Sequence, residues 1–269
     1  MGSAPVKVKY LTNKDLLEEI HKSKLTYCSY VDPAHGRYDL IVSDVAMISE
    51  KRIEDARQKK LSDLISQEKK LASAGKDHQT SLTLDDAPAE SIVIRVMTYD
   101  HIPINPDKIG KAKTTAEKHI RCNFPPFQHY IMKDGRLVCV LKSHWQGGLE
   151  NGHFCRDHGR MTNNLAIMFM KLVDRYGHRG NWRGYTYIEE MKSQALLQLS
   201  QVGLQFDESR SETPNPFAYY TQTITNSFMR ILNIEKKNQN IRDDILIMHG
   251  ASPSFTRQTE ESLKQQKDP

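Results

Sequence analysis

The sequence predicts a mainly α-helical fold into which a small α+β module is inserted. Three observations predict it. Residues 162–248 read as successive amphipathic helices, residues of roughly 90–145 as short β-branched runs broken by turn residues, and a Thr-, Ser-, Asp- and Pro-rich stretch from Asp77 to Glu90 separates that module from a charged helix. At 269 residues and 38% hydrophobic, the chain can bury one substantial core or two modest ones.

Composition narrows the class. A mean hydropathy of −0.62 with 26% charged residues predicts a soluble chain, and no run of about 18 consecutive apolar residues exists, so no membrane partner is expected. The start Met1-Gly2-Ser3-Ala4-Pro5-Val6 has neither a signal-peptide hydrophobic run nor the Ser or Thr at position 6 that myristoylation prefers. Cys28, Cys122, Cys139 and Cys155 are too scattered for a disulfide framework, which points to a reducing compartment, the cytoplasm, with free or metal-bound thiols. The formal net charge of +5 tolerates a polyanionic partner without demanding one.

Along the chain, Thr12 is placed to cap a short docking helix whose Leu16, Leu17 and Ile20 share one side. Tyr27 to Asp39 reads as loop and Leu40-Ile41-Val42 as a brief strand. Between Ser49 and Gly75, Ile53, Leu61, Leu64, Ile65 and Leu71 form a helical stripe, and seven Lys and Arg cover the remainder; a solvated linker helix is favoured over a nucleic-acid arm. Ile92 to Met97 predicts a strand. Tyr130–Met132 and Leu137–Leu141 predict a hairpin, because Asp134-Gly135 suits the positive-φ positions of a tight turn.

From Thr162 the helices are clearer. Leu165, Met168, Phe169, Leu172, Val173 and Tyr176 follow helical spacing, and Gly177 and Gly180 end that helix. A second opens on Thr186-Tyr187-Ile188-Glu189, a capping-box spacing, with Ile188, Met191, Ala195, Leu199 and Val202 as its buried stripe. The third opens on Asn215-Pro216 and buries Phe217, Tyr220, Ile224, Phe228, Ile231 and Leu232.

Opposite that stripe lie Tyr219, Thr223, Asn226, Arg230, Asn233 and Lys237, spaced by four, three, four, three and four residues. Such a face is either solvated or suited to DNA: Asn pairs with adenine, Arg with guanine or phosphate, Thr and Lys with the backbone, and Tyr stacks on a base. The neighbourhood favours DNA, because Arg179, Trp182, Arg183, Tyr185 and Tyr187 interleave cations with aromatics between the first two helices. Trp182 reads equally as core. Tyr220 is counted both with the core and with the DNA-binding set.

These residues carry a resemblance. Asn163 to Met168, Gly180 to Tyr185, Glu190-Met191, Gln205 to Glu208 and Asn215 to Gln222, together with Lys9 to Leu17, resemble the late-transcription sigma factors of T-even-like bacteriophages, reduced relatives of the bacterial sigma factors. The resemblance falls in two pieces separated by an insertion. It implies an N-terminal docking segment at 1–43, an inserted module at 44–160, a helical sigma promoter-recognition core at 161–249 and a flexible tail at 250–269. It implies that Glu189, Glu190, Ser193, Gln194, Leu196 and Leu197 face the β′ clamp helices of a bacterial RNA polymerase core in the cytoplasm of the infected host. It also implies that Tyr219, Thr223, Asn226 and Arg230 face an AT-rich proximal promoter element.

Two departures qualify what the resemblance implies. Thr223 and Ile224 stand where bacterial sigma factors place a tryptophan wedge, so strand melting is expected to need help. The phage family ends in a hydrophobic, acidic tail that binds the sliding clamp; the end here has one aromatic and mixed charge, which leaves open whether a sliding clamp and co-activator take part.

A second signal is Cys139-x4-His144 with Cys155-x2-His158, near Cys122, His129 and His153, which can close a tetrahedral zinc site. The spacing is not a standard finger. Cys139 in an apolar strand also reads as a small hydrophobe and His144 as a core residue. His153, Asp157 and His158 alternatively suggest a metal-dependent nuclease, but no catalytic cleft signature accompanies them. The expectation is therefore a sigma-type initiation factor that is not an enzyme and requires no cofactor, zinc being a structural candidate. The rivals are a polymerase-binding inhibitor that displaces the host sigma factor and a zinc-dependent nucleic-acid enzyme.

Overall fold

The computed structural model describes residues 11–72, 82–146, 153–154 and 159–265. The fold is mainly helical with a small five-stranded mixed sheet, and the chain divides into two compact units: Met1–Met168 with Val202–Phe217, and Phe169–Gln201 with Ala218–Pro269. Among the described residues no helix is long and apolar enough to cross a membrane.

The first unit is built on the sheet, in the order β1 (Cys28–Tyr30), β5 (Arg136–Ser143), β4 (Phe127–Lys133), β3 (Ile94–Met97) and β2 (Leu40–Val42). β4 and β5 are the expected hairpin, with Asp134 at φ 51° and Gly135 at φ 73°, the left-handed pair a tight turn requires. β3 pairs antiparallel with β4 and parallel with β2. A parallel neighbour needs a crossover, and α2 (Glu50–Ala72) lies in it. Ile53 and Ala56 of α2 pack with Val42, Ile92, Ile94 and Val96 on one sheet face. Two of the helix cations are used structurally: Arg57 donates to the carbonyls of Ala87 and Leu84, and Lys60 to the Ser91 carbonyl and Asp39.

The opposite face carries Arg95 and His129, and against it lie α1 (Asn13–Leu25) and the segment from Gly203 to Arg210. Thr12 caps α1 in a full capping box with Asp15, and Leu16 and Ile20 are completely buried. At the centre, the Lys24 ammonium donates to Glu208 Oε1 at 2.8 Å and to the Phe206 carbonyl at 2.7 Å. Arg95 reaches Glu208 Oε2 at 3.3 Å, its guanidinium 4.0 Å from the Tyr38 ring centroid and 3.8 Å from that of Phe127.

Segment 1–43 supplies two strands to the sheet of the first unit. β1 and β2 both come from it and form the two edges of the sheet, and β1 falls within the stretch expected to be loop. β2 is the brief strand expected at Leu40–Val42, whereas the three residues of β1 bear no alternation long enough to read, and long-range pairing decides it.

The second unit packs α4 (Asn163–Gly177), α5 (Ile188–Val202) and α6 (Pro216–Met248). Between β3 and β4 the chain also forms the single-turn α3 (Thr115–Lys118), and β6 (Trp145–Gln146) pairs with β7 (His153–Phe154). Phe169 meets Tyr220 edge-on at 4.7 Å, Tyr176 meets Phe228 at 5.1 Å, and the Tyr176 hydroxyl bonds Thr225 Oγ1 at 2.8 Å.

The end of the chain differs from the expected flexible tail. α6 stops at Gly250 (φ 75°), where the Gly250 amide donates to Ile247 and the Ala251 amide to Leu246, and the chain turns back into α7 (Phe255–Gln265). Asp243 accepts from both the amide and the hydroxyl of Ser254, at 2.8 and 2.6 Å, fixing the start of α7. This stop is a local turn motif at the head of the stretch expected as a flexible tail.

Candidate nucleic-acid interface

The polar face of α6 exists because its other face is committed. Tyr220, Ile224, Phe228 and Leu232 recur every four residues and are buried, which turns Asn226, Arg230, Asn233 and Lys237 outward. These four, with the exposed apolar side chains Met229 and Ile234, line one shallow groove along the helix. From residue 226 to 237 the groove runs about 16 Å at the α-helical rise. That length matches about five base pairs of duplex. Gln222 Nε2 donates to Asn226 Oδ1 at 2.8 Å.

The start of the stripe is less open. Tyr219 and Thr223 are half-buried, and the Thr223 hydroxyl donates to the Tyr219 carbonyl at 3.0 Å, the inward back-bond common for hydroxyl residues within helices. Tyr220 is completely buried, and Phe217, expected in the core, is 38% exposed. Tyr220 therefore belongs to the core and not to a DNA-facing set. Trp182 is corrected in the same way: it is 5% exposed, its ring 5.2 Å from Phe228 and 6.1 Å from Tyr176 and from Tyr185. The cations around it do face solvent. Arg179 lies over the Tyr176 ring at 4.3 Å, and Arg183 is exposed. Tyr185 and Tyr187 sit 5.4 Å apart and half-buried, the aromatic pair this turn presents in place of Trp182.

On α5, Met191, Ala195 and Leu199 are completely buried, so Glu189, Glu190, Ser193 and Leu197 are exposed and Gln194 and Leu196 half-buried. Leu197 is 53% exposed, which settles its competing reading as core. Glu189 is paired with Lys192 at 3.1 Å, and Lys192 reaches Asp174 at 3.2 Å. The six residues thus comprise two acids, Ser193, Gln194 and two leucines, of which Leu197 is open, on a helix whose Met191, Ala195 and Leu199 are buried.

The zinc quartet is not assembled by the residues described. Cys155 and His158 lie outside them, as does Asp157. Cys139 is half-buried in β5, its thiol raised by burial and directed to the Leu141 carbonyl at 3.5 Å. His144 is completely buried with φ 61°, its ring 4.2 Å from that of Phe124 and Nδ1 3.0 Å from the Ser143 hydroxyl. His129 is engaged by Arg95 and by the His35 carbonyl. Among the described residues no group of three or more His, Cys, Asp or Glu side chains is placed to hold a metal, and Cys28, Cys122 and Cys139 are not joined in disulfides.

Sequence reasoning missed the apolar component of the groove. Met229 and Ile234 fall at the borders of the polar stripe, where helical periodicity assigns them to neither face; only the packing of α6 shows them exposed. Against known proteins, no family model, curated protein or solved structure matches the chain.

Proposed function

We propose that the chain is a sigma-type transcription initiation factor, itself without catalytic activity, that brings a bacterial RNA polymerase core to phage late promoters. The observation that supports this reading best is the α6 groove, in which Asn226, Arg230, Asn233 and Lys237 alternate with Met229 and Ile234. Carboxamides suit adenine, cations suit guanine and phosphate, and apolar side chains suit the thymine methyl group, which together fit an AT-rich element. The acidic and leucine face of α5 is the surface proposed to meet the β′ clamp helices. With Leu197 open and the charges at its rim, it resembles an anchor surrounded by polar contacts.

Burial of Trp182 and Tyr220, with Thr223 turned inward, favours one second reading: a polymerase-binding inhibitor that occupies the sigma site without melting DNA. Run-off transcription decides between them, with purified core polymerase and this protein on a template carrying an AT-rich proximal element, either duplex or with a premelted bubble. Specific initiation on either template supports the sigma reading, and initiation on premelted DNA alone fits the lost wedge. Polymerase binding without initiation on both templates rejects it in favour of the inhibitor.

A further inference from the structure

We infer that the first unit holds a second, separate nucleic-acid site: a basic cleft walled mainly by the connection from β3 to β4 that captures a single strand, stacking one base on Tyr99 and His119. The cleft encloses about 420 Å³, within the range of small-ligand sites. Its wall includes Tyr99, His119, Lys108, Arg121 and Arg210.

The floor is aromatic and fixed. Tyr99 and His119 lie 5.3 Å apart at 37°, both half-buried. His119 Nδ1 is 2.8 Å from the Ile102 carbonyl, which can only accept, so Nδ1 is the donor there and, in the neutral ring, Nε2 is left as an acceptor for a base N–H such as N3–H of thymine or uracil. The ring is anchored further by the Ile104–His119 bridge, with the Asn105 amide donating to Lys118 and the Ile120 amide to Pro103.

The rim is cationic. Between residues 105 and 122 the chain carries Lys108, Lys111, Lys113, Lys118 and Arg121, all exposed, against Asp107 and Glu117. Glu117 lines the cleft, but its carboxylate accepts from the Lys113 amide at 2.9 Å, so it serves to close the loop. Arg210 shares its Nε with Asp207 at 3.3 Å. Lys111, Lys113 and Lys118 lie beyond the cleft's lining, a spread of positive charge wider than one nucleotide needs and suited to a phosphodiester chain crossing the cleft.

The inference does not rest on the sigma reading, since α6 and this cleft belong to different units. The test uses the full chain carrying Arg230→Ala, so that the α6 groove contributes least, and fluorescence anisotropy with an oligothymidylate, an oligouridylate and a duplex of about 12 nucleotides each. Single strands of one or both sugars are expected to bind more tightly than duplex, and which sugar is preferred identifies the source of the strand. Adding Lys108→Ser with Arg121→Ser should lower the slope of log affinity against log salt by roughly 1.4, the share of two phosphate contacts on a single strand. Tyr99→Ala should weaken single-strand binding at least about fivefold and Tyr99→Trp restore it. Both cations are exposed, so the double variant is expected to keep the parent's urea midpoint. The inference is overturned by an unchanged slope in that folded variant, by equal affinity for duplex, or by thymidine monophosphate binding as tightly as the strand.

Discussion

Arg95 Nε donates to His129 Nε2 at 2.9 Å across neighbouring strands. A guanidinium only donates, so His129 Nε2 is unprotonated and its proton sits on Nδ1, bonded to the His35 carbonyl at 2.8 Å. Burial, then the nearby Arg95 charge, hold His129 well below its ordinary range, and burial lowers His21 as well, against the opposing effect of Glu208.

The pH consequence has a definite sign. Both imidazoles bind protons less readily when folded than when unfolded, so the unfolded state gains more protons as pH falls below about 6.5 and stability drops. His101, lowered to about 4 chiefly by burial, extends the loss down to that pH. The midpoint of urea unfolding is expected to fall steadily from pH 7.5 to pH 5. A flat profile would mean that these rings are protonated at no cost and that Arg95 is bonded otherwise.

Glu208 holds two buried cations, and its carboxylate is kept well below its usual range by Lys24, His21 and Arg95 despite the opposing effect of burial. Glu208→Ala leaves Lys24 and Arg95 buried without their anion and should cost about 3–5 kcal/mol. Glu208→Gln, which keeps an acceptor oxygen, should cost less. Urea denaturation of the two variants gives the comparison.

Arg230 and Trp182 separate binding from folding. Arg230→Ala should leave the unfolding midpoint unchanged while reducing the salt slope of promoter binding by about 1. Trp182→Ala should cost about 3–5 kcal/mol through loss of its packing on Phe228, and Trp182→Phe should retain DNA binding. DNA affinity lost in a fully folded Trp182→Phe protein would restore the indole to the binding surface.

Leu197 and Glu190 offer the matching test on α5. Leu197→Ala or Glu190→Lys should weaken association with core polymerase and leave DNA affinity and thermal midpoint unchanged, since both side chains face solvent. Equal pull-down of core by wild type and both variants would remove α5 from the interface.

The helices were legible because their signals are local. The Thr12 cap, the Asp134-Gly135 turn and the 3.6-residue spacing of Leu165 to Tyr176 each act within a few residues, and each predicted its element. What was illegible depends on distant partners. β1 exists because Cys28 meets Ser143, and Lys24 is buried because Glu208 arrives from far along the chain. The candidate surface divides the same way: the outward set Asn226, Arg230, Asn233 and Lys237 follows from periodicity. The burial of Tyr220 follows from the same periodicity, whereas the fate of Trp182 hinges on ring packing that spacing does not encode.

The Lys24–Glu208 pair also sets a schedule for synthesis. The two residues are 184 apart, so at ordinary rates of translation the Lys24 ammonium is made roughly 10–40 s before its carboxylate. β1 waits similarly for Ser143. Until Ser143 has been made, α1 and the first two strands have no completed sheet to join, and the apolar residues Leu16, Ile20 and Val42 stay accessible to chaperones and proteases. The nascent chain is thus most vulnerable in its earliest third, and a fragment ending before Glu208 should be cleared rather than accumulate.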